Sequence, residues 1–346
     1  VRFKQADGGY TAATLWINDI KFTSPDDEPG YPVIKVNQLG YPEVGEKYAL
    51  LSGFVEDLPA HLTAGAPFNL VRTNDNAVVY TGTLQLVSAY EPYVSGERIF
   101  RADFSQFTTP GTYYLAVPIS GTLLGGSNSL TFTIASNVYN PLVVDAARYF
   151  YYQRQGITLT NAFAGDFARG LGHPQDAQAP LRSALDAGGP ITITYDVSQG
   201  WYDAGDYGKY VAYAAPAVDT LLAAYELYTD IFTATQFNIP ESANTLPDLL
   251  DELKWELDWV LKMQDPNDGG FYERVYPNNA NATPDNDNQD RYIEDLLDGN
   301  VSNTKPTRAT AVAAAYLAHA ARVYQPFNPT YAAQLLQAAE DAWDYL

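Results

Sequence analysis

Two aspartates separated by two small residues, in the run Gly200-Trp201-Tyr202-Asp203-Ala204-Gly205-Asp206-Tyr207-Gly208-Lys209-Tyr210, are the part of this sequence best equipped for chemistry. Ala204 and Gly205 permit a tight turn, and a tight turn can aim both carboxylates at one point. An ionised, oriented carboxylate with a second one nearby is what a general base needs to draw a proton from water. The apolar spacing that follows predicts a helix over 207–228. That helix would set Asp206 at or beside a positive helix end, which favours the charged form. Simple capping of the helix by Asp206 is the competing reading of the same spacing. Tyr202 and Tyr207 flank the pair; their rings either meet a ligand or support the turn.

Composition narrows the partners. Acidic residues number 41 against 20 basic ones, for a formal net charge of −21. Nucleic acid and anionic membrane surfaces would both repel such a chain, so neither is expected as a partner. The sequence has no cysteine, which excludes disulfides, thiol catalysis and zinc–thiolate sites. No apolar run reaches the ~18 residues that would predict a membrane span. The sequence opens at Val1-Arg2-Phe3-Lys4 without a signal-peptide pattern, as expected of a mature, excised or recombinant chain. The 27 Tyr, 15 Phe and 5 Trp would suit stacking on the apolar faces of sugars, although a core uses most such rings.

The pattern along the chain changes near residue 137. Before it, alternating runs at 33–37, 48–54, 68–73, 77–87, 98–104, 112–117 and 130–135 are separated by turn residues such as Asn74-Asp75-Asn76 and Pro110-Gly111. Seven short strands over this length predict an all-β sandwich of immunoglobulin type at 31–136. Residues 1–30 read as a remnant strand, Leu15 to Phe22, and a linker around Pro25 and Pro29. They derive either from a preceding carbohydrate-binding module or from an added edge strand. After 137 the period becomes helical, with helices predicted at 142–153, 207–228, 246–263, 307–324 and 330–345. The stretches 157–200 and 264–305 between them read as long polar loops, and loops of that length usually carry function.

The run from Trp201 to Tyr210 resembles the signature of family nine glycoside hydrolases. The similarity extends to Val36-Asn37-Gln38-Leu39-Gly40-Tyr41, to Pro110-Gly111-Thr112-Tyr113-Tyr114, to Ala147 through Arg154, and to Leu246-Pro247-Asp248-Leu249-Leu250-Asp251-Glu252 with Lys254 to Trp259. The resemblance implies inverting hydrolysis of β-1,4-glucosidic bonds in cellulose or a related β-glucan. Asp206 would be the general base, Asp203 would help hold the water, and Tyr202 and Tyr207 become candidates for sugar contact. It implies an immunoglobulin-like module before an all-α (α/α)6 catalytic barrel at 137–346. Such a barrel needs twelve helices, so only about its first half is expected here. The proton-donating glutamate and the remaining half would come from a continuation or a second chain. No cofactor is required for this chemistry, and a secreted, extracellular bacterial protein is implied. Two alternatives stay open: an exo-acting glucosaminidase of the same family, or a non-catalytic carbohydrate-binding or scaffolding fragment.

The departures concern metals. In this branch of the family a structural zinc is commonly held by cysteines and histidines. Here Gln155 stands at the first cysteine position, and His173-Pro174-Gln175-Asp176-Ala177 keeps a single histidine. No zinc is therefore expected. Asp285, Asp287 and Asp290, with Asn286 and Asn288, form an oxygen-rich loop that could hold a structural calcium or be a solvated turn. Asp265 and Asp268, before Gly269-Gly270, are open to either reading, whereas Trp255 and Trp259 read as core. Half a barrel would also leave the inner faces of 307–324 and 330–345 in need of cover.

Overall fold

The computed structural model describes residues 33–54, 62–91, 93, 96–117, 128–277, 291–295 and 305–346. The chain divides into two compact units, Val1–Asn140 and Pro141–Leu346. The expected remnant strand and linker at 1–30 lie outside the described residues.

In the first unit the strands are β1 (Ile34–Lys35), β2 (Tyr48–Phe54), β3 (Pro67–Arg72), β4 (Val78–Ser88), β5 (Glu97–Asp103), β6 (Gly111–Ala116) and β7 (Phe132–Ile134). Each falls on a run read from the sequence, with ends shifted by a residue or two. They pair in the order β1-β2-β5-β4-β3-β6-β7, every pairing antiparallel. The long β4 pairs with β3 through its first half and with β5 through its second, breaking register on both sides. It thus passes from one face of the sandwich to the other. Alternate residues Phe68 and Leu70, Phe100 and Ala102, and Tyr113 and Leu115 turn inward and are almost wholly buried. The 36–41 motif has a structural purpose. Tyr41 sits edge-on to Phe104 and Phe132, at 5.0 and 5.1 Å between ring centres. Gly40 has φ +101°, where a Cβ would come within 2.5 Å of the Thr133 carbonyl oxygen.

The second unit holds α1 (Asn140–Gln153), α2 (Asn161–Ala164), α3 (Arg182–Asp186), α4 (Val211–Leu227), α5 (Thr229–Ala234), α6 (Asp248–Lys262), α7 (Thr307–Tyr324) and α8 (Pro329–Tyr345). Asn328 caps α8 by accepting from the Tyr331 N–H at 3.0 Å, with Pro329 opening the helix. Buried alanines on both partners, Ala313 and Ala320 of α7 with Ala332 and Ala339 of α8, let this helix pair approach closely. Between the two, Ala311, Ala315, Ala318, Leu336 and Trp343 line an open groove of about 560 Å³. Trp343 is 73 % exposed there.

Two expectations change. The stretches 157–200 and 264–305 contain α2, α3, the 3-10 turns Gly165–Phe167 and Pro174–Gln178, and the strands β9 (Arg274–Pro277) and β10 (Arg291–Ile293). With β8 (Lys209–Tyr210) these strands form a small antiparallel sheet, β10-β9-β8. The predicted helix at 207–228 also begins later, at Val211, because Lys209 and Tyr210 pair with Val275 and Arg274.

Candidate active site

The aspartate pair sits on a closed turn. Asp203 N–H donates to the Gly208 carbonyl at 2.9 Å, and Tyr207 N–H to the Ala204 carbonyl at 2.9 Å. Tyr207 adopts φ +56°, in the left-handed region, which turns the chain back on itself before β8. Gly208 follows, where a Cβ would press to 2.7 Å on the Tyr210 ring. Asp206 therefore does not cap a helix or feel a helix end: a strand separates it from α4, and dipoles act only within about a turn. It is oriented instead by two donors, Gly208 N–H at 3.0 Å and the Tyr210 hydroxyl at 3.1 Å. Asp203 is exposed. Partial burial and the neighbouring Asp206 charge push its carboxyl above the ordinary aspartate range.

Helices α1 and α6 hold the segment that leads into this turn. Trp201 N–H donates to Glu256 Oε2 at 2.6 Å, and its indole N–H to Glu252 Oε1 at 2.8 Å. Tyr202 N–H donates to the Gln153 carbonyl at 3.0 Å. Glu252 is in turn gripped by Arg154, which is wholly buried, also bonds Glu241 at 2.9 Å and lies over the Trp255 ring. Gly200, at φ +82°, allows the chain to graze Trp259, since a Cβ would meet that ring at 2.7 Å. Trp259 is thus core, as read from the sequence, whereas Trp255 is a half-buried cover for Arg154.

A cavity of about 160 Å³ opens beside the turn, lined by Tyr149, Phe150, Gln153, Trp201, Tyr202, Asp203, Tyr210, Tyr213 and Glu256, among others. Tyr202 contributes little free surface, being 4 % exposed. Its hydroxyl meets His173 Nδ1 at 2.6 Å, and the His173, Tyr202 and Tyr207 rings pack on one another. The rings with open faces are Tyr149 and Tyr213, 55 % and 49 % exposed. Sequence reasoning did not single these out. The aromatic run at 149–152 and the three-residue step from Tyr210 to Tyr213 were the available signals.

Behind the turn lies a buried ion cluster. Asp176 bonds Lys209 at 2.8 Å and Arg291 at 2.5 Å, and all three side chains are fully buried. Lys209 also donates to the carbonyls of Val197 and Gln199, at 2.6 and 2.7 Å, and to Gln155 Oε1 at 3.2 Å. Arg291 reaches the Tyr207 carbonyl at 2.9 Å, tying the cluster to the turn. Burial opposes the charge on Asp176, but Lys209 and Arg291 hold it below the usual carboxylate range. Gln155, at the position where a zinc-binding cysteine would stand, donates instead to the carbonyls of Gly172 and His173. Asp265 and Asp268 both bond Lys305 at 2.5 Å, and Lys305 with Asn267 holds Asp265 down to about 2 despite burial. That pair braces the start of α7. The Asp285, Asp287 and Asp290 loop lies outside the described residues.

Comparison with known proteins identifies the family of the chain. Residues 30–122 match the cellulase N-terminal ig-like domain, and residues 139–346 match glycosyl hydrolase family 9. The chain is 34 % identical over 316 residues to a xyloglucan-specific endo-beta-1,4-glucanase of Bacteroides ovatus, covering 90 % of this chain and 49 % of the relative. It is 33 % identical to endoglucanase D of Acetivibrio thermocellus, covering 83 % and 43 %. A solved Bacteroides ovatus structure of the same family superimposes with a TM-score of 0.75 at 31 % identity, covering 90 % of this chain and 53 % of that one. The chain thus spans about half the length of the curated relatives it matches. A family match over the whole helical unit, with the paired aspartates inside it, settles membership: the chain belongs to glycosyl hydrolase family 9.

Proposed function

We propose that this chain is the N-terminal part of a secreted, inverting β-1,4-glucanase that acts on cellulose or a related β-glucan. The observation that carries this reading is the aspartate pair on one rigid turn, with Asp206 fixed by two donors and Asp203 open to the cavity. Asp206 acts as the general base and Asp203 helps hold the attacking water. The acid comes from a portion that the relatives have and this chain does not span. Residues 31–136 form the immunoglobulin-like module, and residues 137–346 contribute the first part of an (α/α)6 barrel. The groove between α7 and α8 supports that assignment, because further helices of the barrel would cover Leu336 and Trp343. The exposed rings of Tyr149 and Tyr213 offer the stacking faces for sugar, with Tyr202 and Tyr207 supporting the turn.

The test is stereochemical. An inverting enzyme keeps its acid and base about 6.5–9.5 Å apart, leaving room for water between base and sugar. NMR during hydrolysis of a β-glucan by the full-length protein is expected to show the α anomer first. Initial β product would require a covalent intermediate and remove Asp206 from the role of base.

The chemistry described here uses no cofactor, and we infer that no zinc is needed at the Gln155–His173 crossing. Asp176 there already faces two fixed cations, and a carboxylate so neutralised is a poor ligand for a third positive charge. A strong zinc-selective chelator is expected to leave the melting temperature unchanged, and a clear drop would overturn the inference.

A further inference from the structure

Glu256 has a position that the proposed mechanism does not use. It lies on α6, is 2 % exposed, and lines the same cavity as Asp203. Its Oε2 accepts the Trp201 N–H two residues before Asp203. Several charged or titratable groups face it: Glu252 one turn earlier on α6, Asp203 on the turn, Lys209 on β8 and Tyr316 on α7. The nearby cations are already engaged. Arg154 is held by Glu252 and Glu241, and Lys209 and Arg291 are held by Asp176. Among the described residues no cation forms an ion pair with Glu256.

An unpaired buried carboxylate is costly, and such groups escape the cost by keeping their proton. Here ionisation would also put a third negative charge beside Asp203 and Asp206. We propose that Glu256 is a positioning residue that works as a neutral acid, suspending residues 201–203 from α6 and closing the cavity wall beside Asp203 without adding charge there. This rests on the assignment of the aspartate pair given above. The proton sits on Oε1, because Oε2 takes the amide hydrogen. Burial, opposed by the Trp201 amide and Lys209, pushes the Glu256 carboxyl up to about 8. Above that pH the group ionises, the cavity gains a negative charge, and turnover falls.

Two measurements on the full-length protein test this. In the first, the backbone amide of Trp201 is followed by ¹H–¹⁵N NMR from pH 6 to 10, without substrate. A titration with a midpoint near 8, absent from Glu256→Gln, is expected. In the second, kcat for a soluble β-glucan is followed against pH. Glu256→Ala is expected to lose about tenfold in kcat at pH 6, the equivalent of one hydrogen bond. Glu256→Gln, which keeps the acceptor, recovers most of that loss and moves the alkaline fall to higher pH. A Trp201 amide that stays flat over this range, or an alkaline limb unmoved in Glu256→Gln, overturns the proposal. If the wild type hydrolyses no β-glucan, the reading of function fails separately, and the amide titration still decides the state of Glu256.

Discussion

Replacing Asp206 by asparagine is expected to cut turnover of a β-glucan by about 10²–10⁴-fold in the full-length protein while the glucan still binds. The turn gives the reason for expecting so specific a loss. Asparagine keeps the side-chain oxygen that accepts from Gly208 N–H and can still pair with the Tyr210 hydroxyl, so the shape set by those two bonds survives. What disappears is the charge that takes the proton from water. The melting temperature should therefore hold, and isothermal titration with an oligosaccharide should give nearly the wild-type Kd. Asp203→Asn is expected to lose less, because a residue that only holds the water can do so as an amide. Equal losses would mean that the two carboxylates share the water. Wild-type turnover in Asp206→Asn would remove it from the mechanism.

That the pair could be read from the sequence at all comes from its being local: two aspartates and two small residues lie within four positions, and such a run marks a turn in its own residue types. The strands β2 to β6 and the helices α6 to α8 were legible for a similar reason, since each writes its buried face into its own period. The start of α4 was not. Tyr207 and Tyr210 fit a helical spacing, yet Tyr207 takes a left-handed φ and Tyr210 pairs with Arg274, a partner far along the chain. Pairing of that kind leaves no mark on the local pattern. The same holds for the supports of the site. Asp176 and Arg291 are 115 residues apart, and Arg154 and Glu252 are 98 apart; in sequence each is one charge among many. The roles of Tyr202 and Tyr207 turn on His173, which packs against both rings. Exposure of a ring is decided by its neighbours, and the sequence does not say which neighbours arrive.

Removing the charge of Asp176 should produce a large loss of stability. Asp176→Asn leaves Lys209 and Arg291 buried without their counter-charge, and breaking a buried pair in this way costs about 3–5 kcal/mol. Lys209 has a partial escape: burial already pulls it down to about 8 against the attraction of Asp176, so without that attraction it can shed its proton. Arg291 has none, because a guanidinium does not deprotonate in proteins. For a unit of this size the cost corresponds to a fall of about 10 °C in melting temperature. The pH dependence carries the sign of the cause. Asp176 is held below its ordinary value in the folded state, so its contribution is complete once the pH exceeds the unfolded value of about 4. It fades as acidification passes the folded value, and the gap between wild type and Asp176→Asn should be wide at pH 6 and close in acid. Activity should fall with stability even below the melting transition, because Arg291 also holds the Tyr207 carbonyl and through it the turn that carries Asp206. Thermal melts of the two proteins across pH decide the matter: a gap that is absent at pH 6, or that widens in acid, would mean that the ion cluster does not hold the turn as described.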